Sequence, residues 1–368
     1  MATAYMKLYT FIRESIAQGI YSYGSKLPSK RQLAEKNGCS VITVEHAYAL
    51  LAEEGYIESR ERSGYYVIYN ANDSYPVGNA PGWQKITAAS SPETERREQM
   101  EKELFPFSAF AKTMRSVLSF YGKRILSPSP NHGCEELRHA LAAYLERSRK
   151  ISVSPEQILI GSGAEYLYSM NIQVLGRHRI YALENPSYDK IQKVYEANQA
   201  KTDLLTMGAG GIKTEELERT AAEVLHVTPF NSYPSEITAT ASKRAEYIRW
   251  SQKRHGFIIE DDFDSEFTLL SKPEDTLFSL APQKQIIYMN SFSKTIAPAI
   301  RAAYLVLPET LLAAYQEKIG FYSCTVPVFE QLVLAEFING GHFERHINRI
   351  RRQRRKALQG EIRQDRIR

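Results

Sequence analysis

From residue 158 onward, short apolar runs alternate with helical patterns, and this rhythm restricts most of the chain to one fold class. The runs fall at 158–160, 180–183, 224–227, 257–259 and 286–288, and the helical patterns include 135–147 and 242–255. A strand that is apolar at successive positions is buried on both faces. Strands of this kind alternating with helices predict a largely parallel sheet with helices on both sides, an α/β/α architecture. With 368 residues, the chain has room for that domain and a smaller one.

The first seventy residues follow a different pattern. Residues 4–18 place Tyr5, Leu8, Tyr9, Phe11, Ile12 and Ile16 at helical spacing. Ser29 is a natural N-cap for a short helix over 30–36, and Asn37-Gly38 ends it. Ser40 can cap a second helix running to about residue 54, with Val44, Ala47, Tyr48 and Leu51 on one face. Two short strands follow at 56–58 and 65–68, around a turn at Ser63-Gly64. This order is that of a winged helix-turn-helix. Residues 70–104 are rich in turn formers and end in the charged run TERREQMEKE, the composition of a linker. The domains expected are therefore 1–69, a linker at 70–104, and 105–368.

Charge and cysteine usage exclude several classes. No run of apolar residues is long enough to span a membrane, and the start, MATAYMKLYTFIRES, lacks a signal-peptide core. Cys39, Cys134 and Cys324 lie far apart, with neither metal nor disulfide spacing, which points to a reducing cytoplasmic setting and no metal site. Net charge is +5, yet residues 1–70 carry eight Lys/Arg against seven Asp/Glu, so placement must carry any case for DNA. Residues 345–368 hold ten Lys/Arg and two acids, which reads as the solvated face of a helix, with an interaction tail as the alternative.

A recognition helix offers small or polar side chains from its first turns to base edges, while neighbouring groups grip phosphates. Ser40 and Thr43 suit the first task, and the Thr43 methyl suits a thymine methyl. Lys30 and Arg31 suit phosphates, and Arg60, Arg62 and Gly64 lie on the wing. A protein-binding helical domain is the alternative on pattern alone. The runs LPSKRQLA (27–34) and ALLAEEGYIESRERSGYYV (49–67) resemble the N-terminal domain of the GntR family of bacterial regulators. That resemblance implies a double-stranded DNA operator as partner. The family commonly has Arg directly after the serine that opens the recognition helix; this chain has Val41.

Three segments carry the chemistry of the larger domain. In ILIGSGAEYL a strand meets Gly161-Ser162-Gly163-Ala164 at a helix start, where backbone N–H groups can cradle a phosphate. In GFIIEDDFDSEF five acids, Glu260, Asp261, Asp262, Asp264 and Glu266, stand just past a buried strand, where open sheets bind ligands. The alternative for this segment is a solvated acidic loop able to take a metal. In IIYMNSFSKTIAPAIRAAYLV a strand leads to Lys294, an amine able to form a Schiff base, with Ser291, Ser293 and Arg301 suited to a phosphate. A buried Lys294 and Asp261 without a ligand would be costly to keep unless they paired with each other.

These segments, with VTPFNSYPS and FINGGHFERHINRIRR, resemble the fold-type-I aminotransferase domain of MocR-type regulators, a branch of the GntR family. The resemblance implies pyridoxal 5'-phosphate bound as an internal aldimine on Lys294, the residue for any catalysis. It places Asp261 at the pyridine nitrogen, Tyr188 on the ring face, and Gly163, Ala164, Ser291, Ser293 and Arg301 at the phosphate. It also implies a homodimer and a small amino-compound effector. The departures are Phe263 where the family has a tyrosine bonding the cofactor's 3'-oxygen, Glu236 in place of a glycine, and no tyrosine before Gly133 in LSPSPNHG. The chain also reaches Arg368 just inside the family's small C-terminal domain, so that domain is expected to be incomplete. An aminotransferase and a cofactor-free DNA-binding dimer scaffold are the alternative functions.

Overall fold

The computed structural model describes residues 4–61, 63–69, 105–268, 274–281 and 285–365, with side chains of the last helix through Lys356. Arg62 and the expected linker at 70–104 lie outside the described residues. The chain separates into two compact units, Met1–Ala89 and Ser90–Arg368.

The small unit contains α1 (Ala4–Ala17), α2 (Lys30–Asn37), α3 (Val41–Glu53), β1 (Ile57–Arg60) and β2 (Gly64–Val67). Local chemistry sets its helix ends. Ser29 and Gln32 form a capping box at α2, and Gly38 closes it at φ +60°, where a side chain would be strained. Ser40 accepts from the Thr43 amide to start α3. Leu8, Ile12 and Ile16 of α1 pack against Val44, Ala47, Tyr48 and Leu51 of α3, closed by Ile57 and Val67. The buried Tyr48 hydroxyl donates to the Pro28 carbonyl at 2.8 Å. β1 and β2 pair antiparallel with Ile57 opposite Val67 and Arg60 opposite Gly64. Pairing continues up to the turn, which is why β1 runs further than the alternation of side chains suggests.

The large unit begins with α4 (Phe107–Tyr121) and α5 (Glu135–Arg149), followed by β3 (Ile158–Gly161), α6 (Ala164–Leu175), β4 (Ile180–Asn185) and α7 (Asp189–Ala197). Then come β5 (Lys201–Gly208), β6 (Gly211–Ile212), β7 (Val224–Val227), α8 (Ala241–Arg254), β8 (Phe257–Asp261), β9 (Ile286–Ser291) and β10 (Ala303–Val306). α9 (Val328–Asn339) and α10 (His342–Asp365) end it. One eight-stranded sheet has the order β3-β10-β9-β8-β7-β4-β5-β6. The run from β9 to β5 is parallel, and β10 is antiparallel to both its neighbours. The two faces divide as expected. Leu225, Ile258 and Tyr288 pack with Leu137, Leu141 and Tyr144 of α5 on one side. Val224, Ile259, Ile287 and Met289 pack with Leu167 and Ile172 of α6 on the other. No helix among the described residues is long and apolar enough to cross a membrane.

Candidate functional site

The register of the sheet brings the three chemical segments to one edge. Gly161 pairs with Ala303, which pairs with Ser291, while Asp261 pairs with Met289. The C-terminal ends of β3, β9 and β8 therefore share an edge, with the outer two about 14 Å apart at three strand spacings. Open α/β sheets bind ligands at such an edge.

At one end Arg301 meets the start of α6. Gly163 precedes α6 at φ +103°, and a Cβ there would stand 2.7 Å from Arg301 Nη2. The absent side chain thus leaves the guanidinium against the start of α6, where the Gly163 N–H donates to the Gly161 carbonyl at 2.9 Å and Ala164 opens the helix. Glu165 shares this corner: its carboxylate meets Arg301 at 2.5 Å and Lys190 at 3.1 Å. The Lys190 ammonium also lies over the Tyr188 ring, 5.8 Å from its centroid. Tyr188 is joined to the corner through that chain. Ser291 is buried in the strand end, and the Ser293 hydroxyl donates to the Ile300 carbonyl at 3.1 Å.

At the other end, Asp261 is buried and accepts from the Tyr168 hydroxyl at 2.6 Å. His226 Nε2 lies 3.8 Å from the same oxygen and has no hydrogen-bond partner, while its Nδ1 is 2.8 Å from the Tyr195 hydroxyl. Between the two ends, Lys294 Nζ is 2.9 Å from Asp264 Oδ1 and 4.6 Å from the centroid of the Phe263 ring. Asn231 Nδ2 donates to the other Asp264 oxygen, and Arg354 of α10 reaches Oδ1 at 3.9 Å. Asp264 therefore gathers Lys294, Asn231 and the last helix.

Two expectations need correction. Glu260 and Asp261 belong to β8 itself, because pairing with β7 and β9 continues through them. The five acids are all buried, not a solvated loop, and no metal-binding group occurs among the described residues. Each is held. Glu260 accepts from the Leu277 and Phe278 amides, and burial, aided by Asp262, pushes its pKa up to about 8. Asp262 and Glu266 face the buried Arg149 at 3.1 and 3.7 Å. Burial pushes Glu266 up to about 7 against the pull of Arg149. Lys294 and Asp261 do not pair with each other: Lys294 is exposed beside Asp264, and only Asp261 is buried, held by Tyr168, so no unpaired buried lysine has to be kept without a ligand.

Sequence pattern alone does not mark Asn231, Tyr168, His226 or Glu165 as ligand-binding residues, and it does not separate Asp264 from the other four acids. Asn231 lies inside the quoted run VTPFNSYPS, and its φ of +51° aims its amide at Asp264. Glu236 also sits at φ +55°, which explains why the family prefers glycine there.

In the small unit, Ser40 and Thr43 stand at the start of α3, their hydroxyls 2.9 Å apart. Lys30 pairs with Glu45 at 2.6 Å, and Arg60 pairs with Glu58 at 2.6 Å while lying over the Tyr66 ring. Arg31 is exposed beside Lys30. Gly64 takes φ +111° at the wing turn. Exposed pairs of this kind are weak and can be exchanged for phosphates.

Residues 4–67 match the family described as bacterial regulatory proteins, gntR family, and residues 105–365 match aminotransferase class I and II. The HTH-type transcriptional regulator YdeL of Bacillus subtilis is 35% identical over 96% of this chain and 77% of its own length. The probable rhizopine catabolism regulatory protein MocR of Rhizobium meliloti is 27% identical, over 94% of this chain and 74% of its own. The pyridoxine biosynthesis transcriptional regulator PdxR of Corynebacterium glutamicum is 27% identical over 93% and 74%. Among solved structures, the alpha-aminoadipate aminotransferase of Thermus thermophilus, complexed with N-(5'-phosphopyridoxyl)-L-leucine, has a TM-score of 0.60 at 26% identity, over 68% of this chain and 64% of that one. The multiple substrate aminotransferase of Thermococcus profundus has a TM-score of 0.64 at 19% identity, over 77% of each chain, and shares the fold. The chain belongs to the GntR family of bacterial regulatory proteins, as a transcriptional regulator that joins a DNA-binding helix-turn-helix domain to an aminotransferase-like domain and counts MocR and PdxR among its relatives.

Proposed function

We propose that this regulator holds pyridoxal 5'-phosphate on Lys294 and that the state of that site sets how strongly a homodimer binds its operator. The chain is then organised as a DNA-binding domain at 1–69, a linker at 70–104 and an effector domain at 105–368. The observation that supports the reading best is the placement of a lysine between the Arg301 corner and a buried carboxylate on one sheet edge. When bound, the cofactor supplies an aldehyde carbon with which a primary amine condenses, releasing water.

The chain's own residues divide the work. Arg301, the amides of Gly163 and Ala164, and Ser291 and Ser293 would hold the phosphate. Tyr188 would cover the ring. Asp261, fixed by Tyr168, would hold a proton at the ring nitrogen. Asp264, 2.9 Å from Lys294 Nζ, would pair with the ammonium and hold the side chain at the sheet edge. Phe263 offers a ring face where the family offers a hydroxyl, which favours sensing over efficient transamination. On the DNA side, Lys30, Arg31 and Arg60, with Arg62, would meet phosphates, and the start of α3 at Ser40 and Thr43 would enter the major groove beside the Gly64 wing.

The test is the visible absorbance of protein mixed with the cofactor and freed of excess. A bound band that disappears in Lys294→Ala is the expected result. A folded protein with no band, or a band unchanged in the variant, would contradict it.

A further inference from the structure

Resting on the DNA-binding reading, the exposed surface of α3 says which bases it suits. A helix that enters the major groove offers its first turns to base edges. Here Ser40, Thr43 and Glu45 already have partners within the small unit, and His46 packs edge-on against Tyr5. Ser40 Oγ accepts from the Thr43 amide at 3.1 Å and lies 2.9 Å from the Thr43 hydroxyl. The Glu45 carboxylate pairs with Lys30, whose ammonium has donors enough to bridge it to a phosphate, so the pair brings no net charge to the groove side. What the first turn leaves outward is apolar: Val41 is 41% exposed and Ile42 64%.

Neither residue belongs to the core of the small unit, which takes Val44, Ala47, Tyr48 and Leu51 from α3. Ile42 lies on the opposite face of the helix, and Val41 stands at the exposed end of the buried stripe. The major-groove edge of B-DNA carries one apolar group, the C5 methyl of thymine. We propose that Val41 and Ile42 read thymine methyl groups, so that each operator half-site presents A·T pairs to the start of α3. Specificity would then come from apolar contact and shape, with the cations at Arg31 and the wing positioning the helix on phosphates.

The full-length protein is used to select duplexes from a random-sequence pool. Each thymine of the selected duplex is then replaced by uracil, which keeps the pairing and the O4 acceptor but lacks the methyl. One or two positions per half-site should lose affinity by about fourfold per methyl removed. That sensitivity should vanish in Val41→Ala and Ile42→Ala, whose exposed positions leave the fold intact by circular dichroism. Val41→Arg should move the selected half-site toward guanine, which arginine binds in a bidentate manner. Selected half-sites without thymine, an affinity indifferent to uracil, or a uracil effect unchanged in both alanine variants would overturn the inference while DNA binding stands. A pool that never enriches would remove the DNA-binding reading, and this inference with it.

Discussion

Gly163 shows how closely Arg301 approaches the start of α6. A methyl at this position would strike the Arg301 guanidinium, on a backbone already at φ +103°. Gly163→Ala is therefore expected to weaken pyridoxal phosphate binding by tenfold or more, about the worth of one strong charged hydrogen bond. An absorbance titration would measure it, and unchanged affinity would remove Arg301 and the α6 start from the phosphate site. Glu184 offers a separate test by pH. It is buried, accepts from the Ser232 hydroxyl at 2.6 Å, and burial pushes its pKa up to about 8. The folded chain thus keeps a proton here that the unfolded chain has released. Stability from this group is complete below the ordinary carboxylate range and is lost as pH rises toward 8. In Glu184→Gln the melting temperature should fall less between pH 6 and pH 9 than in the wild type. Glu260 and Glu266 are common to both proteins, so an equal fall would mean that Glu184 is ionised throughout.

Among the elements, those whose ends are fixed by local chemistry were legible in the sequence. Ser29, Gly38 and Ser40 terminate α2 and α3 where their side chains and φ angles require it. The lysine, the glycine turn and the acid run each fell at the end of a strand, as their order suggested. Direction and partnership were less visible. Nothing in the apolar run of β10 says that it lies antiparallel between two strands, because that depends on which edges are free after the others pair. Five acids within seven residues could not be ranked by spacing alone: Arg149 from α5 claims Asp262 and Glu266, leaving Asp264 for Lys294. The helix pair of the small unit gives a prediction at this scale. Leu51 is fully buried against α1, and Leu51→Ala should cost about 2–5 kcal/mol. Ser40→Ala, which removes only the cap, should cost about 1 kcal/mol. Thermal unfolding that reversed this order would contradict the packing described for α1 and α3.

For the molecule as a whole, regulation requires that the occupancy of one unit change the DNA affinity of the other. A ligand can do this only by the difference in its affinity for the DNA-competent and DNA-incompetent states. The first seventy residues are nearly neutral, so operator affinity rests on a few placed cations. The most direct measurement is the affinity of the full chain for its selected operator, by fluorescence anisotropy at fixed salt, with and without saturating pyridoxal 5'-phosphate. The expected result is a change of about fivefold or more in the wild type, and none in Lys294→Ala. Equal affinities in a wild-type protein shown to carry the cofactor would contradict the account, leaving a DNA-binding protein whose second unit does not govern the first.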